Sequence, residues 1–324
     1  CLTAFLLFYD HISQKFAVNK TLRLFSCILL IVILLLGLFD QTKQPSYTPE
    51  AYKISQISYK TDEDFVAKIE NTVPPGSMIF QLPYLEFPEP STTSFFIYMH
   101  ARGYLNSKTL RWSYGAMKGR GTDLWQREVV AKPLDKFLSE ISSVGFRGLY
   151  VDRRGYPDAA VDLEARLTQL LQAKPIVSND NQFFFFKLPP SRGQILCIWE
   201  KGFSYLEGVP GVDWRWCARS GELYIINSSD VEKKVLIKIH LATGYREFSS
   251  LRIESVLFPG NIDLEINSGE PSLEGIPFVR VISIPPGTHI IKFKSDAKRV
   301  NAPWDQRFLV FMVRNFSLNE LSAQ

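Results

Sequence analysis

Three carboxylates sit where an α/β protein builds its chemistry. Glu86 and Glu89 follow an apolar strand ending at Leu82, and Asp152 ends a strand that starts at Leu149. If those strands run parallel, all three acids lie beyond carboxyl ends, where open α/β sheets assemble their sites. A carboxylate pair there can do acid–base work; solvated loop acids show the same spacing. A glycine-rich basic loop runs from Gly115 to Gly121 and carries Lys118 and Arg120, with Arg111 just before it. Glycines let backbone amides approach an anion and the cations add charge, which suits a phosphate headgroup. The P-loop pattern G-x-x-x-x-G-K-[ST] is absent, and an ordinary flexible loop is the plainer reading. Trp214 and Trp216 share one face of a strand by its two-residue period. Such rings stack against sugars or pack into a core.

Other residue groups are weaker. Asp62-Glu63-Asp64 fits the D-x-D pattern of cation-holding acids, but reads better as the acidic opening of a helix. Cys197 and Cys217 flank a hairpin-like stretch, so an oxidising compartment permits a disulfide between them; two small buried thiols are the alternative. The four histidines are scattered, with no H-x-x-x-H and no Cys-x-x-Cys, which argues against a zinc site. There is no G-x-S-x-G elbow and no dinucleotide fingerprint. No cofactor and no metal is expected in this chain.

The elements that must position these residues fall into two styles. From about 45 to 188, helix and strand signals alternate. Helices are expected from Thr61, from Pro133 to Gly145 and from Ala159 to Leu171, and strands at 78–82, 149–152 and 183–188. This alternation predicts an α/β domain with a partly parallel sheet. Pro189-Pro190-Ser191-Arg192-Gly193 reads as a linker. Helix signals then vanish, and short β-rich runs recur to about residue 320. Ile262, Leu264 and Ile266 alternate with charged residues as half-buried strands do. An all-β, jelly-roll-like sandwich over 193–320 follows.

The first forty residues differ from the rest. Leu24 to Phe39 holds sixteen residues without a charge. We expect a transmembrane helix over 22–39, preceded by the tail of an earlier one (1–9) and a loop carrying Asp10 and Lys15. Lys15, Lys20 and Arg23 place that loop in the cytoplasm, hence residues 40–324 on the extracytoplasmic side. Mean hydropathy is only −0.03 because this apolar stretch is averaged with an ordinary globular remainder. With 37 basic and 33 acidic side chains, the chain is not basic enough to coat nucleic acid. The expected class is an α+β multidomain membrane protein.

Several segments together resemble the C-terminal end of bacterial polytopic envelope proteins of the GT-C glycosyltransferase-like kind. They are Phe39-Asp40-Gln41-Thr42, VPPGSMIFQLPY (73–84), LRWSYGAMKGR (110–120), GLYVDRRGY (148–156) and APWDQRFLVFMV (302–313). The resemblance covers roughly residues 21–320. It implies a bacterial inner membrane location and transfer of a sugar from a polyprenyl-phosphate donor to an envelope glycan. It also implies a catalytic acid, and any divalent cation, in an outer loop upstream of this chain, so no catalytic residue is carried over. The alternative is a non-catalytic, membrane-tethered module that binds carbohydrate or protein. The candidate ligand-binding residues are Arg111, Lys118, Arg120, Trp214 and Trp216; in the glycosyltransferase reading Lys118 and Arg120 face a lipid phosphate, and Trp214 and Trp216 face sugar.

Overall fold

A computed structural model describes residues 20–41, 48–89, 98–190, 193–209, 211–269 and 275–321. The expected tail at 1–9 and the loop with Asp10 and Lys15 lie outside the described residues. The chain divides into two units, Cys1–Ser58 and Tyr59–Gln324.

The first unit holds helix α1 (Lys20–Gln41). Its described apolar side chains between Leu24 and Phe39 are almost all exposed, Leu34 and Phe39 by more than 60%. Among the described residues no helix is long and apolar enough to cross a membrane. The uncharged run of α1 rises about 24 Å, against about 30 Å of hydrocarbon. Residues 22–39 are therefore helical as expected, but the expected membrane span is not supported. Helix α2 (Pro49–Glu70) crosses the division between the units. It opens at Pro49, not at Thr61: the Thr48 hydroxyl accepts the Ala51 N–H at 3.1 Å, and a proline in the first turn forfeits no hydrogen bond. Asp62-Glu63-Asp64 consequently lies inside the helix. Residues two apart on a helix face different ways, so Asp62 and Asp64 do not share an ion.

The second unit begins with a five-stranded mixed sheet in the order β2-β1-β3-β5-β4. Its strands are β1 (Met78–Leu82), β2 (Arg111–Trp112), β3 (Phe146–Asp152), β4 (Ile176–Val177) and β5 (Phe183–Lys187). β1 runs parallel to both β2 and β3, while β5 is antiparallel to β3 and β4. Both faces are covered. Phe183 and Phe185 join Phe65 and Ile69 of α2 on one side. Phe184 and Phe186 pack on the other with helices α4 (Gly121–Val130), α5 (Leu134–Val144) and α6 (Val161–Leu171); the short α3 (Ala101–Asn106) precedes β2. Two buried faces explain four consecutive phenylalanines where alternation would be expected of a half-solvated strand.

Two antiparallel five-stranded sheets follow. One is β13-β10-β15-β8-β7 and the other β12-β11-β14-β9-β6. Their strands are β6 (Ile195–Glu200), β7 (Glu207–Val209), β8 (Val212–Cys217), β9 (Ser220–Asn227), β10 (Lys233–Thr243), β11 (Ser249–Glu254), β12 (Ile262–Ile266), β13 (Ile276–Ile284), β14 (Gly287–Ser295) and β15 (Phe311–Glu320). Leu223, Ile225 and Phe293 from one sheet and Ile237, Leu241 and Val313 from the other share a single core. This is a β-sandwich. Cys197 (β6) and Cys217 (β8) belong to opposite sheets and both thiols are free, so the disulfide that the sequence permitted is not formed and the alternative of two separate thiols holds.

The sandwich is joined to the mixed sheet through β6 and α4. Ile198 of β6 packs into the helix-covered core. A Cβ on Gly121, the first residue of α4, would meet the Glu200 side chain at 2.3 Å, so the approach uses glycine. Arg215 of β8 reaches Glu128 of α4 at 2.5 Å.

Candidate functional site

β8 carries two faces with different jobs. Arg215 and Cys217 are buried. The Arg215 guanidinium also donates to the Ser204 carbonyl (3.2 Å) and lies 5.3 Å from the Trp199 ring centroid. Burial pushes the Glu128 carboxyl up, and Arg215 opposes that shift. The strand is thereby clamped against α4. Trp214 and Trp216 point the other way, out of the sandwich, and are half-buried.

The register extends this outer face across the sheet. Trp216 stands opposite Met312, which stands opposite Ala242; Trp214 stands opposite Arg314, which stands opposite His240. Trp214, Trp216, Met312 and Arg314 line a cleft of about 700 Å³ whose far side is Tyr245, Arg246 and Ser268. Tyr245 is fixed there: its hydroxyl donates to the Arg299 carbonyl (2.9 Å) and its carbonyl accepts the Ser268 N–H (2.7 Å). Three polar atoms on this face have no hydrogen-bond partner: Arg314 Nε, Ser268 Oγ and His240 Nδ1. Buried polar atoms are ordinarily satisfied, and these three are exceptions. A cleft with aromatic walls and a few placed donors is built to bind.

A second cleft, of about 580 Å³, lies at the seam between α4 and the sandwich. Trp216 lines it too, with Tyr205, Arg127, Glu86, Arg307 and Phe308. The Arg127 and Arg307 guanidinium carbons lie 5.8 and 4.8 Å from the Tyr205 ring centroid. Arg307 is forked onto Glu207 (2.7 Å) and Asp305 (2.6 Å), and holds the Asp305 carboxyl down to about 2.

The expected anion loop is spoken for from within. Lys118 pairs with Glu86 at 2.6 Å, and Arg127 pairs with the other Glu86 oxygen. Asp123 accepts the Gly119 N–H at 2.8 Å and the Tyr84 hydroxyl, so a carboxylate already occupies the start of α4. Arg120 is exposed at the N-cap of α4, and Arg111 is exposed on β2; neither lines either cleft. Of the three acids, Asp152 is buried and accepts from Arg154 at 2.7 and 2.9 Å, Glu86 faces its own cations, and Glu89 is exposed. β1 and β3 are parallel as the site argument required, but each buried carboxylate has its own cation rather than a carboxylate partner. Among the described residues no group of three or more His, Cys, Asp or Glu is placed to hold a metal ion.

The structure thus brings together Trp214 and Trp216, and separately Glu86 and Lys118. Arg314, Tyr245, Ser268, Tyr205 and Arg307 were not singled out from the sequence. Only Asp305-Gln306-Arg307 carried a local signal, an acid and a base two residues apart beside an aromatic.

No family model matches the chain, and no curated protein matches it. Solved structures do. A family 35 carbohydrate-binding module from Clostridium thermocellum is 14% identical, with 40% of this chain and 99% of that one covered and a TM-score of 0.26. The C-terminal family 6 module of a laminarinase from Zobellia galactanivorans is 10% identical over 39% of this chain and 99% of that one, with a TM-score of 0.24. A family 6 module from a Cellvibrio mixtus lichenase, solved with cellotriose, is 12% identical over 37% of this chain and 88% of that one, with a TM-score of 0.23. The glycosyltransferase resemblance finds no counterpart in these comparisons.

Proposed function

We propose that this chain is a carbohydrate-binding protein whose β-sandwich grips a glycan on the outer face of β8 and β15. One observation carries the reading. Trp214 and Trp216 share one outward strand face and line a cleft with Arg314, Tyr245 and Ser268. Indole faces take the C–H faces of sugar rings, and polar side chains such as those of Arg314 and Tyr245 beside them suit hydroxyls. The paired state of Glu86 and Asp152 favours binding over turnover. Affinity electrophoresis of the full chain through soluble β-1,3-glucan, β-1,4-glucan and xylan tests it. At least one polymer retards the wild type, and Trp214→Ala or Trp216→Ala weakens that retention tenfold or more, as for an aromatic at the centre of an interface. Free migration of the wild type through all three discards the reading.

In the same reading, α1 lodges in a lipid bilayer and tethers the binding unit. Support comes from its apolar side chains, exposed around the helix, and from a length shortfall small enough for local thinning of the bilayer to absorb. Lys15, Lys20 and Arg23 on the N-terminal side argue that residues 40–324 face the extracytoplasmic space.

A further inference from the structure

Trp216 is a wall of both clefts, with Met312 and Arg314 on one side and Tyr205, Arg127 and Phe308 on the other. One loop, 296–310, also serves both. Val300 lines the sheet cleft, and Arg307, Phe308 and Leu309 line the seam cleft. Between these contributions sits Trp304, 99% exposed. Tryptophan is among the residues most buried on average, and an indole wholly in water on an ordered turn is unusual.

The turn that presents it is built firmly. The Asp305 N–H donates to the Ala302 carbonyl at 3.0 Å, with Pro303 at the second position, as in a regular β-turn. The Asp305 side chain accepts the Arg307 N–H at 2.9 Å, and the Arg307 guanidinium ties the turn to Glu207 of β7 at 2.7 Å. The backbone that presents the ring is therefore already ordered before binding.

Resting on the carbohydrate reading above, we infer that the two clefts and the Trp304 turn form one continuous track. It accepts the interior of a glycan chain, passing over Trp216 from the sandwich face onto the α4 seam, rather than a chain end. Aromatic faces at Trp214, Trp216, Tyr205 and Trp304 supply repeated stacking positions. Glu86, Lys118, Arg127 and Arg307 are already held in ion pairs, which suits a neutral chain.

The test is chain-length dependence in the full-length protein held in detergent. Affinities are measured for laminaribiose, cellobiose and xylobiose and for the corresponding polymers, laminarin, hydroxyethylcellulose and xylan. The expected result is a polymer affinity at least tenfold above that of its disaccharide. Tyr205→Ala and Trp304→Ala each reduce that ratio about tenfold, the size of a lost aromatic contact. Trp304 touches solvent only, so its replacement leaves folding intact and the test remains decisive if Tyr205→Ala misfolds. Equal affinity for disaccharide and polymer, or a ratio unmoved in Trp304→Ala, overturns the track while leaving the sandwich reading in place. Binding to none of the six overturns both.

Discussion

Single side chains set the conditions at the site. Arg215 is 4% exposed and faces Glu128 across the seam. Removing one partner of a buried pair leaves the other charge uncompensated, so Arg215→Met is expected to cost about 3 kcal/mol of unfolding free energy, read in urea. Replacing both residues with apolar ones of similar size restores most of it. Asp62 gives the pH prediction. Burial raises its carboxyl from 3.8 to about 6, against the pull of Arg102, 2.6 Å away. The folded state then holds its proton to higher pH than the unfolded chain does. The stabilisation this gives is complete at low pH and declines as pH rises through about 4 to 6. Asp62→Asn removes the slope: the stability of wild type relative to the variant falls across that window, and a flat difference contradicts the assignment. The sequence announced Trp214 and Trp216 through their spacing alone. It was silent on Arg314 and Ser268, because the cleft they line with Trp214 and Trp216 is assembled from segments far apart in the chain.

Elements were legible wherever a local rule was strong. Helix α5 ends at Gly145, whose φ of 108° is the left-handed stop that glycine favours. The amphipathic α6 and the strands at β1, β3 and β5 were equally visible. The start of α2 was not: Thr48-Pro49 caps it, but its first turns from Pro49 carry no apolar stripe, and Thr61 with Asp64 mimics a second cap. Why β3 and β5 lie so close is equally non-local. A Cβ on Gly148 would sit 2.2 Å from the Phe185 ring. Gly148→Ala should therefore destabilise by roughly 3 kcal/mol, the upper range for overfilling a packed core. Thermal unfolding of that variant against Gly76→Ala, where a Cβ meets nothing but φ is 78°, separates crowding from backbone strain.

At the scale of the whole molecule, charge and hydropathy averages conceal two physically distinct parts. Residues 59–324 form one compact unit with two types of core, and α1 offers apolar surface with no protein cover described. If α1 is the tether, the full chain sediments with membranes and resists alkaline carbonate, whereas the chain lacking residues 1–41 stays in the supernatant and still binds glycan. Retention of the truncated chain on membranes would move the tether elsewhere. The sequence suggested separate α/β and sandwich parts because local periodicity changes at Pro189-Pro190. It held no sign that Trp216 would serve clefts on both, since the salt link Arg215–Glu128 joins residues far apart in the chain.

The run Phe183–Phe186 has a further consequence. In the folded unit all four rings are buried, two against α2 and two against α4–α6. Before those helices dock, the same tetrapeptide is a sticky, uncharged strand able to pair with any copy of itself. Lys187 and the Pro189-Pro190 pair directly after it act as gatekeepers: a charge and two residues without N–H donors stop a growing intermolecular ladder at its end. Lys187→Val with Pro189→Thr would leave the native contacts of the four rings in place and still lower the yield of refolding at high protein concentration, through aggregation rather than through loss of stability.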